Sequence, residues 1–153
     1  THNIFAPSNG KPIMSPSQDT VMGCNYITVE KPDCKGEGMT FASTTEADFA
    51  FAQGIIDLHA KIKVRLPKYR KLKTEDGSGK PGAVINTTYG RIVFNSILPT
   101  GMDFYNLRLK SGDLASVISD CYSQLGRRAT IKLLDDMNQL GFRESTRSGL
   151  SFG

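Results

Sequence analysis

Leu58-His59-Ala60-Lys61-Ile62-Lys63-Val64-Arg65-Leu66 alternates apolar and polar side chains along its whole length. A period of two marks a strand with one buried face. Leu58, Ala60, Ile62, Val64 and Leu66 are therefore expected in a core. His59, Lys61, Lys63 and Arg65 are expected on a polar, basic outer face until Pro67 ends the run.

Working outward, Lys71 to Gly82 is polar and glycine-rich, which suits an exposed hairpin tip, and Val84 to Tyr89 is placed to return as a strand against the first. Upstream, Met39 to Ala42 has the length of a short strand. Ser43-Thr44-Thr45-Glu46 has the form of a capping box, so a helix is expected from there to Gln53, with Gly54 as its left-handed stop and Phe49 as its clearest core residue. Downstream of Gly90, Arg91 to Leu98 fits either a further strand or a short helix, and the helix is preferred. Pro99 and Gly101 close it.

The last third reads as helical. Phe104 to Lys110 is assigned to a short helix. Leu114, Val117, Ile118, Cys121, Tyr122 and Leu125 then recur at intervals of three and four, with Gly126 as terminator. A further helix from about Ala129 to Leu140 is expected to bury Ile131, Leu134 and Met137 and to end at Gly141. The short link at 126–128 predicts an antiparallel hairpin of these two helices.

At the other end, Pro7, Pro12 and Pro16 fix φ and push the residues before them out of the helical region, while Asn9-Gly10 favours a turn. This predicts a stiff extended track that must lie on a larger scaffold, with Asn3, Asn9, Lys11, Gln18 and Asp19 turned outward. Ser15 or Ser17 then caps a short helix from Gln18 to Ile27, with Asp19 favoured in its first turn and Val21, Met22, Tyr26 and Ile27 on its apolar side. The fold class is α+β: a small strand pair, a Pro-rich extended N-terminal segment and a C-terminal helical hairpin. Three stretches of one unit are expected, 1–43, 44–99 and 100–153.

Composition sets limits of its own. A chain of 153 residues with 39% hydrophobic and 22% charged residues has the make-up of one soluble domain, with neither a signal peptide nor an apolar run of membrane-spanning length. Cys24, Cys34 and Cys121 lack the paired spacing of a disulfide framework and fit reduced thiols in a cytoplasmic protein. The net charge of +4 points to an acidic partner. Its one dense source is Lys61, Lys63, Arg65, Lys68, Arg70, Lys71 and Lys73, read as a solvated strand face and loop in preference to a phosphate-binding groove.

No complete catalytic set emerges. Gly77-Ser78-Gly79-Lys80-Pro81-Gly82 lacks the hydroxyl residue and the strand-to-helix setting of a phosphate loop. His2 and His59 have no ligand spacing with any cysteine pair. Asp135 and Asp136 are consecutive helical residues, which point about 100° apart and cannot form one metal-binding face. Ser111, Ser119 and Ser123 lack a nucleophile-elbow context. No catalytic residue and no metal ligand is assigned.

Several short motifs together resemble the large β′ subunit of bacterial DNA-directed RNA polymerase, just after its metal-binding aspartate loop. They run in order through Asn3, Pro7, Asn9-Gly10, Pro12-Ile13, Pro16-Ser17-Gln18-Asp19 and Gly23. Lys35-Gly36-Glu37-Gly38-Met39, Asp57 to Arg65, Thr87-Thr88, Gly90-Arg91 and Ile97-Leu98-Pro99 follow. The series closes with Cys121-Tyr122, Leu125-Gly126, Gly141-Phe142, Arg147-Ser148-Gly149 and Gly153. The resemblance covers nearly the whole chain, and the stretch from Tyr69 to Ala83 departs most.

The resemblance implies a pore domain bordering the secondary channel, through which nucleoside triphosphates enter and backtracked RNA leaves. Magnesium would be held by aspartates outside this chain, so the isolated piece would be inert. The implied partners are the rest of β′, the β and ω subunits, template DNA, the RNA transcript and the incoming nucleotides. Asn9, Lys11, Gln18 and Asp19 would lie nearest the passage. For Gln18, the channel and a plain helix surface stay equally open. In some family members the last helical hairpin helps to bind the guanosine tetraphosphate alarmone beside ω, and the matching positions here are Arg128, Asp135 and Gln139. Arg128 keeps a cation suited to phosphate and Asp135 a carboxylate suited to a guanine edge. Gln139 stands where those members carry an aromatic residue, which favours a plain helix surface. Two other readings stand beside the pore module: an autonomous RNA-binding module using the basic strand face, and a structural subunit-interaction domain.

Overall fold

The computed structural model describes residues 16–75 and 82–148, with side chains as far as 144. The expectations for the proline track, including Asn9 and Lys11, lie outside the described residues. The chain divides into two compact units that interleave along the sequence. One comprises 16–26, Ile97–Met102 and the chain from Leu109 onward; the other comprises Ile27–Ser96 and Asp103–Arg108.

The second unit is built on two small sheets. β1 (Thr40–Phe41) runs parallel to β2 (Ile62–Arg65), which pairs antiparallel with β4 (Val84–Thr87) in the register Ile62 to Thr87 and Arg65 to Val84. The expected strand pair is therefore present, but β2 is shorter than the alternating run. Leu58 and His59 form a turn, and His59, expected on the polar face, is only 4% exposed with Nδ1 2.9 Å from the Val29 carbonyl oxygen. The alternation fails there because the turn, not a pleat, sets side-chain direction.

α2 (Thr44–Ala52) begins as expected. The Ser43 side chain accepts from the Glu46 amide, and the Glu46 carboxylate accepts from the Ala42 amide at 3.1 Å. Gln53 caps the other end and Gly54 follows at φ 74°. Its buried residues are Ala47 and Ala50, whereas Phe49 is 67% exposed. Small side chains let the helix lie close to the sheet, which turns the aromatic ring outward. α3 (Tyr89–Ser96) confirms the helix preferred for 91–98. The core of this unit gathers Phe41, Ala47, Ala50, Ile56, Ala60, Ile62, Val64, Leu66, Ile85, Ile92 and Phe104.

The second sheet was not foreseen. β3 (Leu72–Thr74), inside the stretch read as a hairpin tip, pairs in parallel with β5 (Phe104–Asn106), inside the stretch read as a helix. One edge of each sheet is met by an asparagine amide. The Asn95 side chain accepts from the Tyr105 amide at 2.7 Å and donates to its carbonyl at 3.1 Å, as a neighbouring strand would. Asn106 donates to the Asn86 carbonyl at 2.8 Å, on the side of β4 away from β2.

The first unit is helical. α1 (Gln18–Thr28) opens at the expected position but buries Thr20, Gly23, Cys24, Ile27 and Thr28, while Val21, Met22 and Tyr26 are only half-buried. α4 (Ser111–Ser148) is broken at Gly126 (φ 86°, ψ −174°). The Thr130 hydroxyl donates to the Gly126 carbonyl at 2.8 Å and comes near enough to the Cys121 thiol, across the break, to influence its ionisation. Nine residues of straight helix would separate them by about 13 Å, so the chain folds back there. The second arm does not stop at Gly141, and it buries Leu133, Leu134, Met137 and Leu140 while leaving Ile131 40% exposed.

Candidate functional site

Helix α1 presents its first turn to solvent in a fixed orientation. The Ser17 hydroxyl accepts from the Thr20 amide at 3.2 Å, satisfying one of the free donors of the helix start. Thr20 in turn donates through its hydroxyl to Asn138 Oδ1 at 2.7 Å, tying this turn to the second arm of α4. Gln18 and Asp19, the two channel candidates among the described residues, are both exposed on that turn. Further along α1, Asn25 donates to the Leu109 carbonyl at 3.1 Å. The turn is thus anchored on its inner side and open on its outer side.

Arg128, Asp135 and Gln139 are also exposed. Offsets of seven and eleven residues bring Asp135 and Gln139 to within about 20° of Arg128 on either side around the helix, so they form one stripe. Beside them Lys132 and Asp136 form an ion pair at 2.7 Å, one turn apart. Asn138, which holds Thr20, directly precedes Gln139. Nothing local in the sequence announces the Thr20–Asn138 bond, since its partners lie far apart in the chain.

The buried thiols of this unit are passive. Burial pushes Cys24 up to about 12. Burial also raises Cys121, and the nearby Thr130 hydroxyl pulls it part of the way back. Both therefore remain thiols rather than nucleophilic thiolates near neutral pH.

In the other unit the basic run separates into two groups. Arg70 is half-buried, donates to the Asp103 carbonyl at 3.3 Å and lies 5.6 Å from the Phe104 ring centre. Burial lowers its pKa. Lys73 lies 5.7 Å from the Tyr105 ring centre. These two cations hold β3 and β5 in place. Lys61, Lys63, Arg65, Lys68 and Lys71 are exposed, as expected for the strand face and loop. Arg91, by contrast, is buried, donating to the Thr28 carbonyl at 2.9 Å and to Asn106 Oδ1 at 3.3 Å. Among the described residues, no three His, Cys, Asp or Glu side chains are grouped to hold a metal ion.

The sequence matches the family described as RNA polymerase Rpb1, domain 3, over residues 3–153. It is 70% identical over 152 residues to the DNA-directed RNA polymerase subunit beta' of Rhodopirellula baltica, covering 99% of this chain and 11% of that protein. It is 42% identical to the subunit of the same name from Acinetobacter baylyi, covering 100% of this chain and 11% of the relative. For Pelotomaculum thermopropionicum the identity is 40%, with 100% and 12% covered. The chain thus spans about a tenth of the length of these relatives, 11% to 12%.

Proposed function

The chain belongs to the RNA polymerase Rpb1 domain 3 family, in the form found in bacterial β′ subunits, and from that premise we propose that it is a non-catalytic wall element of the polymerase's secondary channel. In this reading it borders the route by which nucleoside triphosphates arrive and backtracked RNA leaves. The observation that carries the reading is the first turn of α1. Gln18 and Asp19 are exposed there, while Ser17, Thr20 and Asn138 hold the turn rigid.

Rigid polar side chains beside a reaction act by placing phosphates and excluding wrong geometries. Magnesium, where the polymerase binds it, would supply charge stabilisation for nucleotidyl transfer. The described residues do not fit such a site, because no group of three suitable ligands is present among them. In this reading the metal is held by parts of the polymerase outside this chain, and the rest of β′ with the β and ω subunits are the partners it packs against, template DNA, the transcript and nucleotides being met in the intact enzyme. The purified chain is expected to incorporate no nucleotide. Arg128, Asp135 and Gln139 are read as a solvent-facing helix stripe and not as an alarmone site. The working compartment is the cytoplasm, and no helix among the described residues is long and apolar enough to cross a membrane.

The test is thiol labelling of Gln18→Cys in the assembled polymerase. The introduced thiol should react readily in an elongating complex and be protected when the RNA is backtracked by several nucleotides. Equal labelling rates in the two complexes would remove the channel reading.

A further inference from the structure

The exposed cations of the second unit are gathered without matching acids. Lys63 and Arg65 project from the same side of β2, about 6.6 Å apart, and Lys61, just ahead of the strand, is exposed as well. Lys63 stands between Thr40 and Asn86 in the register, so its cross-strand neighbours are neutral. Arg65 faces Val84, and its guanidinium donates to the Gly82 carbonyl at 2.9 Å. Lys68 reaches the same peptide: a Cβ added at Gly82 would lie 2.9 Å from the Lys68 Cγ. The Arg65 guanidinium and the methylene stem of Lys68 therefore lie against the same residue. Among the described residues the only carboxylate paired with this face is Glu30, 3.8 Å from Lys61 with both side chains well exposed.

Beside Lys68 stands Tyr69, 84% exposed, the most exposed of the large apolar and aromatic side chains described. A ring kept in water among uncompensated cations stabilises nothing within the fold. Cations spaced along an extended track, with an aromatic face beside them, are the elements that bind single-stranded nucleic acid, the cations on the phosphates and the ring against a base. An acidic peptide would satisfy the cations but would leave the ring without a planar partner.

We propose that Lys63, Arg65, Lys68 and Tyr69 form a binding surface for single-stranded nucleic acid, with phosphates on the three cations and one base stacked on Tyr69. The surface lies in a different unit from Gln18 and does not depend on the channel assignment.

The test uses the assembled polymerase carrying Tyr69→p-benzoylphenylalanine, irradiated with end-labelled single-stranded RNA or single-stranded DNA 20-mers. Label is expected on this subunit, from RNA, DNA or both, which identifies the polymer preferred. In the unmodified background, Lys68→Ala should reduce the slope of log affinity against log salt by about 0.7, the value of one phosphate contact on a single strand. Tyr69→Ala should weaken binding about tenfold while Tyr69→Phe preserves it. Three results would each overturn the proposal: crosslinks to protein alone, which would indicate an acidic protein partner; crosslinks to nothing; or affinity and salt slope unchanged by Lys68→Ala and Tyr69→Ala.

Discussion

Gly23 and Gly141 meet backbone to backbone: a Cβ built on Gly23 would lie 2.2 Å from the Gly141 carbonyl oxygen, and one built on Gly141 would lie 2.7 Å from the Thr20 Cα. The obstructing atoms are main chain and cannot rotate away. Here α1 and the second arm of α4 touch main chain to main chain, which explains why Gly141 sits within a helix it was expected to end. Gly23→Ala or Gly141→Ala should each cost about 3 kcal/mol, at the upper end of ordinary overpacking. The double substitution should fall short of the sum, because both act on one contact. Gly112→Ala, with nothing within 4 Å of its added Cβ, should be neutral or slightly stabilising. Denaturant midpoints of the four variants check the contrast.

Asn95 serves two buried main-chain groups of Tyr105 at once. Asn95→Ala leaves a buried donor and a buried acceptor without partners, a loss of about 2–4 kcal/mol. Asn95→Asp keeps the acceptor but loses the donor and introduces a charge, so it should rescue little. Hydrogen exchange at the Tyr105 amide reads the effect directly, and protection unchanged by Asn95→Ala would refute it.

Phe49 is two-thirds exposed, at 67%, although aromatic and mid-helix. Phe49→Ser should shift stability by about 0.5 kcal/mol or less. Ala50→Leu, one residue along on the buried face, should cost about 1–3 kcal/mol. Thermal melts that rank the two the other way would show that α2 is rotated.

Burial, helped by the Asp48 carboxylate that accepts its hydroxyl at 2.9 Å, pushes Tyr89 up to about 12. An unfolded tyrosine titrates near 10. Between those values the unfolded chain binds fewer protons than the folded one, so stability is intact below about pH 10 and declines as pH rises toward 12. Tyr89→Phe should flatten that part of the stability profile. An alkaline slope identical to that of the parent would contradict the assignment.

Cys34 is half-buried, whereas Cys24 and Cys121 are fully buried. Alkylation at pH 8 should therefore modify Cys34 first, and slowly, since burial and Asp57 raise its pKa. The other two should react only after denaturation. Mass spectrometry of the native protein showing Cys24 modified early would be incompatible with the packing of α1.

What was legible in the sequence was local. The Ser43–Glu46 cap, the β2–β4 pair and the break at Gly126 follow from motifs a few residues long, and the structure keeps all three. What was missed depends on partners distant in the chain. β3 and β5 are three residues each and exist because Phe104 donates to the Lys71 carbonyl and Asn95 completes the other side. No periodicity can show in three residues. His59 went inward because its ring meets the Val29 carbonyl across a turn. At the candidate site, the exposure of Gln18 and Asp19 agreed with their placement at a helix start, but the Thr20–Asn138 bond that holds the turn had no signal in sequence.

The side-chain amides of Asn95 and Asn106 have a consequence for how this protein behaves when crowded. Small sheets with raw borders invite a stray strand from a neighbouring molecule. Here the β4 and β5 borders are each already met by a group too short to propagate, so on those two sides the sheets offer a poorer template for uncontrolled self-assembly.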